Sequence, residues 1–417
     1  MTDLVKVSAL LLGSALLMFA GGLHGLLTAI RGGQEGFSLV ALGLIGTSWS
    51  VGFVAGTILV PQLVSRVGHV RSFSVMASVA SIVILVNVMF VEQYSWILLR
   101  AVSGFCFAGA AMVVESWLNE VTTNQRRGTV FAAYMMANLA AATAGQLVLA
   151  WVGVAGFMAF VLGAAAYSLA VLPTALSLSP QPRPLVRASL DLGLLWRTSP
   201  IALVAAFAVG VTGGAFGTLA PVYGVIVGLS SETVVYLMSL SIVAGAVAQL
   251  PFGRASDRMD RRIVVMATSL LAAAAGVLMV LLDPGEGWVI YGLFGLYGLA
   301  ANSIYPVAVA HANDHVRDGN FATVAAGLLL LFGIGLALGP LFASAAMTIL
   351  GPVYLFMVTA AVHAGLAGAA YLRMQIRRKP QLEARAPFQL VPAGRDLTPQ
   401  TIALDPRIDE EQTGPPA

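Results

Sequence analysis

The sequence predicts an all-α polytopic membrane protein, with twelve transmembrane helices arranged as two pseudo-symmetric six-helix bundles. Three observations carry this. Of 417 residues, 58% are hydrophobic and only 10% charged, at a mean hydropathy of +0.88; soluble domains carry about 25% charged residues. The apolar runs are continuous, as in Ile82-Val83-Ile84-Leu85-Val86 and Leu328-Leu329-Leu330-Leu331-Phe332, whereas strands of a membrane barrel alternate apolar with polar; helices and closed barrels are what satisfy a backbone in lipid. Charge is concentrated in the turns between those runs. It is densest at Gly253-Arg254-Ala255-Ser256-Asp257-Arg258-Met259-Asp260-Arg261-Arg262, a segment with four arginines and two aspartates.

A spanning helix needs roughly 20 apolar residues, and twelve such runs follow in order. The first, about 5–30, starts beside Asp3 and Lys6 and stops at Arg31-Gly32-Gly33. It is too long for a signal-peptide core and reads as an uncleaved span. Runs at about 38–62, 72–91, 95–119, 128–152 and 155–178 complete an N-terminal six-helix half (1–178). Ser179-Pro180-Gln181-Pro182-Arg183-Pro184 opens the one long polar interruption, a central cytoplasmic linker over 179–199. Runs at 200–227, 232–252, 263–282, 287–311, 321–343 and 352–374 form a C-terminal half (200–375). Turn residues separate them: Asp283-Pro284-Gly285-Glu286 before the tenth, Gly351-Pro352 before the twelfth. Residues 376–417 differ in kind. Arg377-Arg378-Lys379 suits anionic headgroups, and the polar, Pro-rich remainder is expected to be a disordered cytoplasmic tail.

Orientation follows from the basic residues. With the N-terminus inside, the inner segments are 63–71, 120–127, 179–199, 253–262, 312–320 and the tail. Together with the N-terminal stub and Arg373 at the inner edge, they hold every Lys and Arg except Arg31 and Arg100; outer turns carry Glu92, Glu232, Asp283 and Glu286. Positive charge is retained on the cytoplasmic side, so both termini are expected there, in a bacterial inner (plasma) membrane. A shift of 192 positions places Gly21, Gly22 and Gly25 on Gly213, Gly214 and Gly217, Arg66 on Arg258 and Trp96 on Trp288. Parallel repeats of this kind place a binding site near the midplane between the halves.

The formal charge of +3 and the pI near 9.1 do not indicate nucleic-acid binding, since the basic residues sit in short turns and not on one face. The lone Cys106 excludes a disulfide within the chain and any cysteine metal cluster. No G-x-x-x-x-G-K-[ST] run offers ATP hydrolysis, so a proton or ion gradient is the expected driver, without cofactor or metal. A polytopic membrane enzyme would need a His, Asp or Cys cluster at a membrane face. His311, Asn313, Asp314 and His315 come nearest, and beside Arg317 they read as an inner-surface loop.

Ionisable residues within spans are functional candidates. Arg100 lies near the outer end of the fourth span, either snorkelling to the surface or facing a cavity as a cation for an anionic substrate or a neighbouring acid. Glu115 is fifteen residues on, roughly 22 Å along the axis at 1.5 Å per residue. It is a candidate proton carrier, or else an ion-pair partner of Arg126, Arg127 or the 63–71 segment. His24, among Gly21, Gly22 and Gly25, can titrate or pack as a neutral ring. Asn138, Gln146, Asn302 and Tyr305 are candidate cavity hydrogen-bonders, with interhelical packing the simpler role for each. Tyr305-Pro306 predicts a kink.

The run Gly253…Asp257-Arg258…Arg261-Arg262 resembles the signature loop of the major facilitator superfamily of transporters. Its first-half counterpart, Pro61 to Arg71 with Arg66, has Ser65 at the aspartate position and Pro61 at that of the first glycine. Arg100-x-x-x-Gly104 resembles the fourth-span motif of proton-coupled members, and Glu120-x6-Arg127-Gly128 the inner clamp of sugar porters. Val113-Val114-Glu115-Ser116, Ala132-Ala133-Tyr134-Met135-Met136, Gly145-Gln146-Leu147 and Tyr305-Pro306-Val307-Ala308 resemble the bacterial YcaD-like branch. Gly145-Gln146 stands where drug-proton antiporters have Gly-Pro. The resemblance implies a monomeric secondary transporter of a small-molecule solute, embedded in lipid. Proton-coupled efflux is the first expectation, proton symport or facilitated uptake the second, and a membrane enzyme or a non-transporting sensor the reading from another class. It implies a cytoplasmic gate of Gly253, Asp257, Arg258, Arg261, Arg262, Arg66, Glu120 and Arg127.

Overall fold

The computed structural model describes residues 2–122, 127–176, 191–316 and 321–376. Its helices are α1 (Thr2–Gln34), α2 (Leu39–Val67), α3 (His69–Met89), α4 (Gln93–Val121), α5 (Arg127–Val152), α6 (Met158–Ala175), α7 (Leu192–Thr198), α8 (Pro200–Ile226), α9 (Ser231–Arg258), α10 (Arg261–Leu282), α11 (Trp288–Asn313), α12 (Phe321–Leu350) and α13 (Tyr354–Ile376). All but α7 are long and apolar enough to cross a membrane, and no strand occurs among the described residues. Alternate crossings put both described ends of the chain on one face, here the termini face.

Short polar side chains start the helices. Ser38, Glu92, Ser230 and Asp260 each accept hydrogen bonds from the first-turn N–H groups of α2, α4, α9 and α10, which satisfies donors that the helix itself leaves open. The acidic outer residue Glu92 therefore serves as a cap.

Two expectations are corrected. The 63–71 segment is not a loop: α2 runs to Val67, α3 starts at His69, and Gly68 alone makes the turn at φ 88°, a conformation that disfavours a Cβ. The charged run 253–262 is not a turn over its whole length, because α9 extends through Arg258 and only Met259-Asp260 links it to α10. Apolar length sets where a span can lie, but a helix runs on past the lipid whenever its backbone is better satisfied by helical bonds than by a turn. The 179–199 linker contains a helix, α7, capped by Asp191 through Leu194 N–H. Ser199 ends α7 and also caps α8 by accepting from Ala202 N–H. The remainder of that linker, the turn at 123–126 and the expected tail lie outside the described residues.

Helices α1 and α3–α6 pack among themselves, with α2 against α4; α8–α13 form the second group, with α8 on α12, α9 on α11 and α10 on α13. The groups meet through α1 and α2 with α8, α2 with α12, and α5 with α9. Hydrogen bonds crossing between the groups sit towards the face opposite the termini: Gln34 Nε2 to Ser231 Oγ at 2.9 Å, Thr47 Oγ1 to Ala337 O at 2.7 Å, Ser50 Oγ to Leu336 O at 3.3 Å. Gly46 lies against the Thr218 side chain in the same region. That face is closed.

Candidate functional site: a central cavity between the halves

A cavity of ≈ 230 Å³ lies between the two groups, with walls from α1, α2, α4, α5 and α6 on one side and α8, α9, α11 and α12 on the other. The repeat glycines Gly21 and Gly213, and Gly25 and Gly217, line it from opposite sides. Its bulk is apolar and aromatic, including Trp49, Phe107, Phe216, Tyr297 and Phe332. Phe216 stacks on Tyr297 at 4.4 Å between ring centroids.

Arg100 lines this cavity and the smaller void beyond it towards the closed face. At 4% exposure it is buried, with its guanidinium carbon 5.9 Å from the centroid of the Trp49 ring. It faces inward and does not reach for the surface. The reason lies in the α2–α4 seam. A Cβ on Gly52 would sit 1.9 Å from Ala101 O, and one on Gly104 2.0 Å from Trp49 O. Reciprocal glycines thus let the two backbones touch, as small residues do in membrane helix pairs. This clamps Trp49 beside Arg100.

Gln146 and Asn302 also line the cavity, as expected of them. Asn302 Nδ2 donates to Ser241 O at 3.3 Å, while Gln146 Oε1 is buried with no hydrogen-bond partner. Tyr305 is off the wall, its ring 5.2 Å behind Phe332. Asn138 and His24 are off it too. His24 is fully buried, Nε2 3.1 Å from Asn87 Nδ2 and edge-on to Tyr167, so it packs between α1, α3 and α6. Helix α1 is continuous past it.

Glu115 is fully buried and does not line the cavity. Tyr134 donates its hydroxyl to Glu115 Oε1 at 2.9 Å, and Ser14 donates to Asn138 Oδ1 at 2.8 Å one turn further along α5. Helices α1, α4 and α5 thereby share a polar node inside the N-terminal group. Tyr134 and Ser14 were missed by residue type alone, since Tyr and Ser in apolar spans are common packing residues.

The gate residues separate into two kinds. Arg261 is buried and donates from Nε to Asp314 Oδ2 at 2.7 Å and from Nη1 to Ser256 Oγ at 3.2 Å, with Asp257 Oδ1 3.4 Å from Nη2. Arg262 chelates Asp260 (2.7 Å) and donates to Arg373 O at 3.1 Å. These described contacts all lie within the C-terminal group and brace the ends of α9, α10, α11 and α13. Burial would raise the Asp260 carboxyl, but hydrogen bonds from the Arg262 side chain and backbone hold it below its ordinary value. Gly253 is buried, with its carbonyl accepting from Ser256. Arg258, Arg66 and Glu120 are exposed, and the side chain of Arg127 lies outside the described residues. His311 and His315 stack at 4.6 Å, with Ser199 Oγ 2.8 Å from His311 Nδ1. No metal-binding group occurs among the described residues.

Two groups of six membrane-crossing helices around a shared cavity define a two-half transporter architecture. The Major Facilitator Superfamily pattern matches residues 10–246 and 228–407, and the chain belongs to that superfamily. It is 26% identical over 358 residues to the uncharacterized MFS-type transporter YcaD of Shigella flexneri serotype 5b, covering 85% of this chain and 92% of that protein. The YcaD protein of Escherichia fergusonii is 27% identical over the same length. Among solved structures, the nucleoside transporter NupG superposes with a TM-score of 0.72 at 15% identity, over 89% of this chain and 100% of that one. A bacterial homolog of the human lysosomal transporter Spinster, in its inward-facing occupied conformation, gives 0.68 at 17%, over 91% and 97%. These two likenesses concern fold. The protein is a multi-pass membrane transporter by family and not an enzyme.

Proposed function

We propose that the protein is a secondary active transporter that extrudes a small organic solute in exchange for protons, by rocking its two halves around the central cavity. The observation that carries this is the cavity itself, walled by both groups and holding one buried guanidinium and two amides in an aromatic surround. Ligand sites of this make-up combine apolar bulk with a few orienting polar groups. Positive-inside orientation makes the closed face the outer one, which corresponds to an inward-facing state in a bacterial inner membrane with both termini cytoplasmic. Glu115 is the proton carrier of this scheme, a carboxyl fully buried beside the Tyr134 hydroxyl at the junction of α1, α4 and α5.

Everted vesicles energised to acid inside and challenged with a solute panel test the reading, with Glu115→Gln and empty membranes alongside. Solute-dependent collapse of the gradient in wild type alone is the expected result. Solute equilibration that dissipates no gradient would refute proton antiport and favour facilitated uptake; flux coupled in the opposite sense would favour symport.

A further inference from the structure

Resting on the transporter reading, the charge and wall chemistry of the cavity narrow its cargo. Arg100 supplies the only formal charge among the described lining residues. It is deep in the protein at 4% exposure, its guanidinium over the Trp49 ring. In such surroundings a bound anion gains from the fixed cation, a neutral solute gains nothing from it, and a cation is repelled. A guanidinium also presents a planar fork of donors that matches a carboxylate. Gln146 adds a second polar group on the wall, its buried Oε1 without a partner. Either end of that amide can face inward, since O and N are assigned from the bonding network, and the NH2 end donates to an anion.

The rest of the wall specifies the body of the ligand. Phe107, Phe216, Tyr297 and Phe332 surround the space with flat apolar faces, which favour offset or edge-on contact with another ring. The cavity, ≈ 230 Å³, has room for a small ring-bearing solute. We propose that the cavity binds a small aryl carboxylate, its carboxylate on Arg100 and Gln146 and its ring among the aromatic side chains. Polyanions fit poorly, since they need more than one cation.

The test is equilibrium binding to the full chain in nanodiscs, without a gradient, using radiolabelled benzoate, benzamide and benzylamine as near-isosteric anion, neutral and cation. Benzoate is expected to bind at least tenfold tighter than either of the others. Arg100→Gln should erase that preference and Arg100→Lys retain part of it. If Arg100→Gln does not fold, the wild-type series and Arg100→Lys still decide. Equal affinity for all three, binding of none by folded wild type, or an unchanged preference in Arg100→Gln would overturn the assignment. Because no flux is measured, the two readings fail separately. Gradient collapse by neutral solutes with no benzoate binding removes the anion assignment alone, while benzoate binding without flux in vesicles removes the transport reading and leaves the ligand class standing.

Discussion

Gly104→Ala tests whether the α2–α4 seam sets the position of Arg100. The added methyl would lie 2.0 Å from Trp49 O, 2.9 Å from Trp49 C and 3.0 Å from Phe53 N. All three are backbone atoms, so no rotamer change relieves the clash. Ordinary C···O contact is about 3.3 Å, so α4 must retreat from α2 by about 1.3 Å. Overpacking of this kind costs about 1–3 kcal/mol, offset by the roughly 1 kcal/mol by which Ala favours a helix over Gly. A net loss of up to about 2 kcal/mol is expected, together with weaker cavity binding, because Arg100 lies one turn away on the displaced helix. Cys106, the single cysteine, is buried two residues further along α4, so a thiol-reactive dye reports the opening of this helix on heating. Gly365→Ala is the control, since nothing lies within 4 Å of a Cβ there, and it should melt at or above wild type. A Gly104→Ala protein whose labelling and melting match wild type would refute the seam as the positioning device.

Three further outcomes follow from the geometry. Glu115→Gln should abolish or uncouple gradient-driven flux, and Tyr134→Phe, which removes the hydroxyl donated to Glu115, should shift the pH dependence of flux; identical pH profiles for wild type and both variants would exclude the node from coupling. Asp314→Ala takes the nearest carboxylate from the buried Arg261 guanidinium, which keeps Ser256 and the more distant Asp257, and should cost less than the roughly 3–5 kcal/mol of a wholly uncompensated buried charge, with the Arg261→Met/Asp314→Leu double variant recovering most of it; the check is thermal melting, and an unchanged midpoint for the single variant would count against the brace. For Asp260, the folded carboxyl is held below its ordinary 3.8, so its contribution to stability is complete above that pH and lost as pH falls through the folded value. The melting gap between wild type and Asp260→Asn should therefore be constant from neutral pH to about pH 4 and shrink in more acidic buffer; a gap that widens on acidification would reverse the sign.

Twelve spans were legible because lipid permits few backbone solutions, and continuous apolar runs between charged turns leave little else for residues such as Ile82 to Val86 to be. What the runs conceal is where helices end: Val64 to Val67 and Ala255 to Arg258 are polar enough for a loop, yet they continue α2 and α9. Arg100, Gln146 and Asn302 reach the cavity as their polarity suggests. His24, Asn138 and Tyr305 do not, because polarity within a span says that a partner exists but not on which side of the helix it lies. The aromatic wall was missed. Trp49 offered a signal: tryptophan belongs to interfacial belts, and one near mid-span has reason to face protein.

Helix α2 is fastened by two unlike joints. On its α4 side the joint is an interlock of backbone against backbone at Gly52 and Gly104, which yields only by distorting a helix. On its α12 side Gly43 lies close against Ser344 and Pro340 O, and two hydroxyls, Thr47 and Ser50, rest on carbonyls. Such bonds between membrane helices are worth about 0.6 kcal/mol apiece on average, and each hydroxyl can turn back to its own helix when released, as Ser50 already does towards Gly46 O at 3.1 Å. Of the two joints, the one to α12 therefore holds the bonds that can be exchanged without distorting a helix. In the proposed rocking motion this interlock with α4 would carry α2 along with it, so that Trp49 and Arg100 move together and the cation keeps its aromatic neighbour.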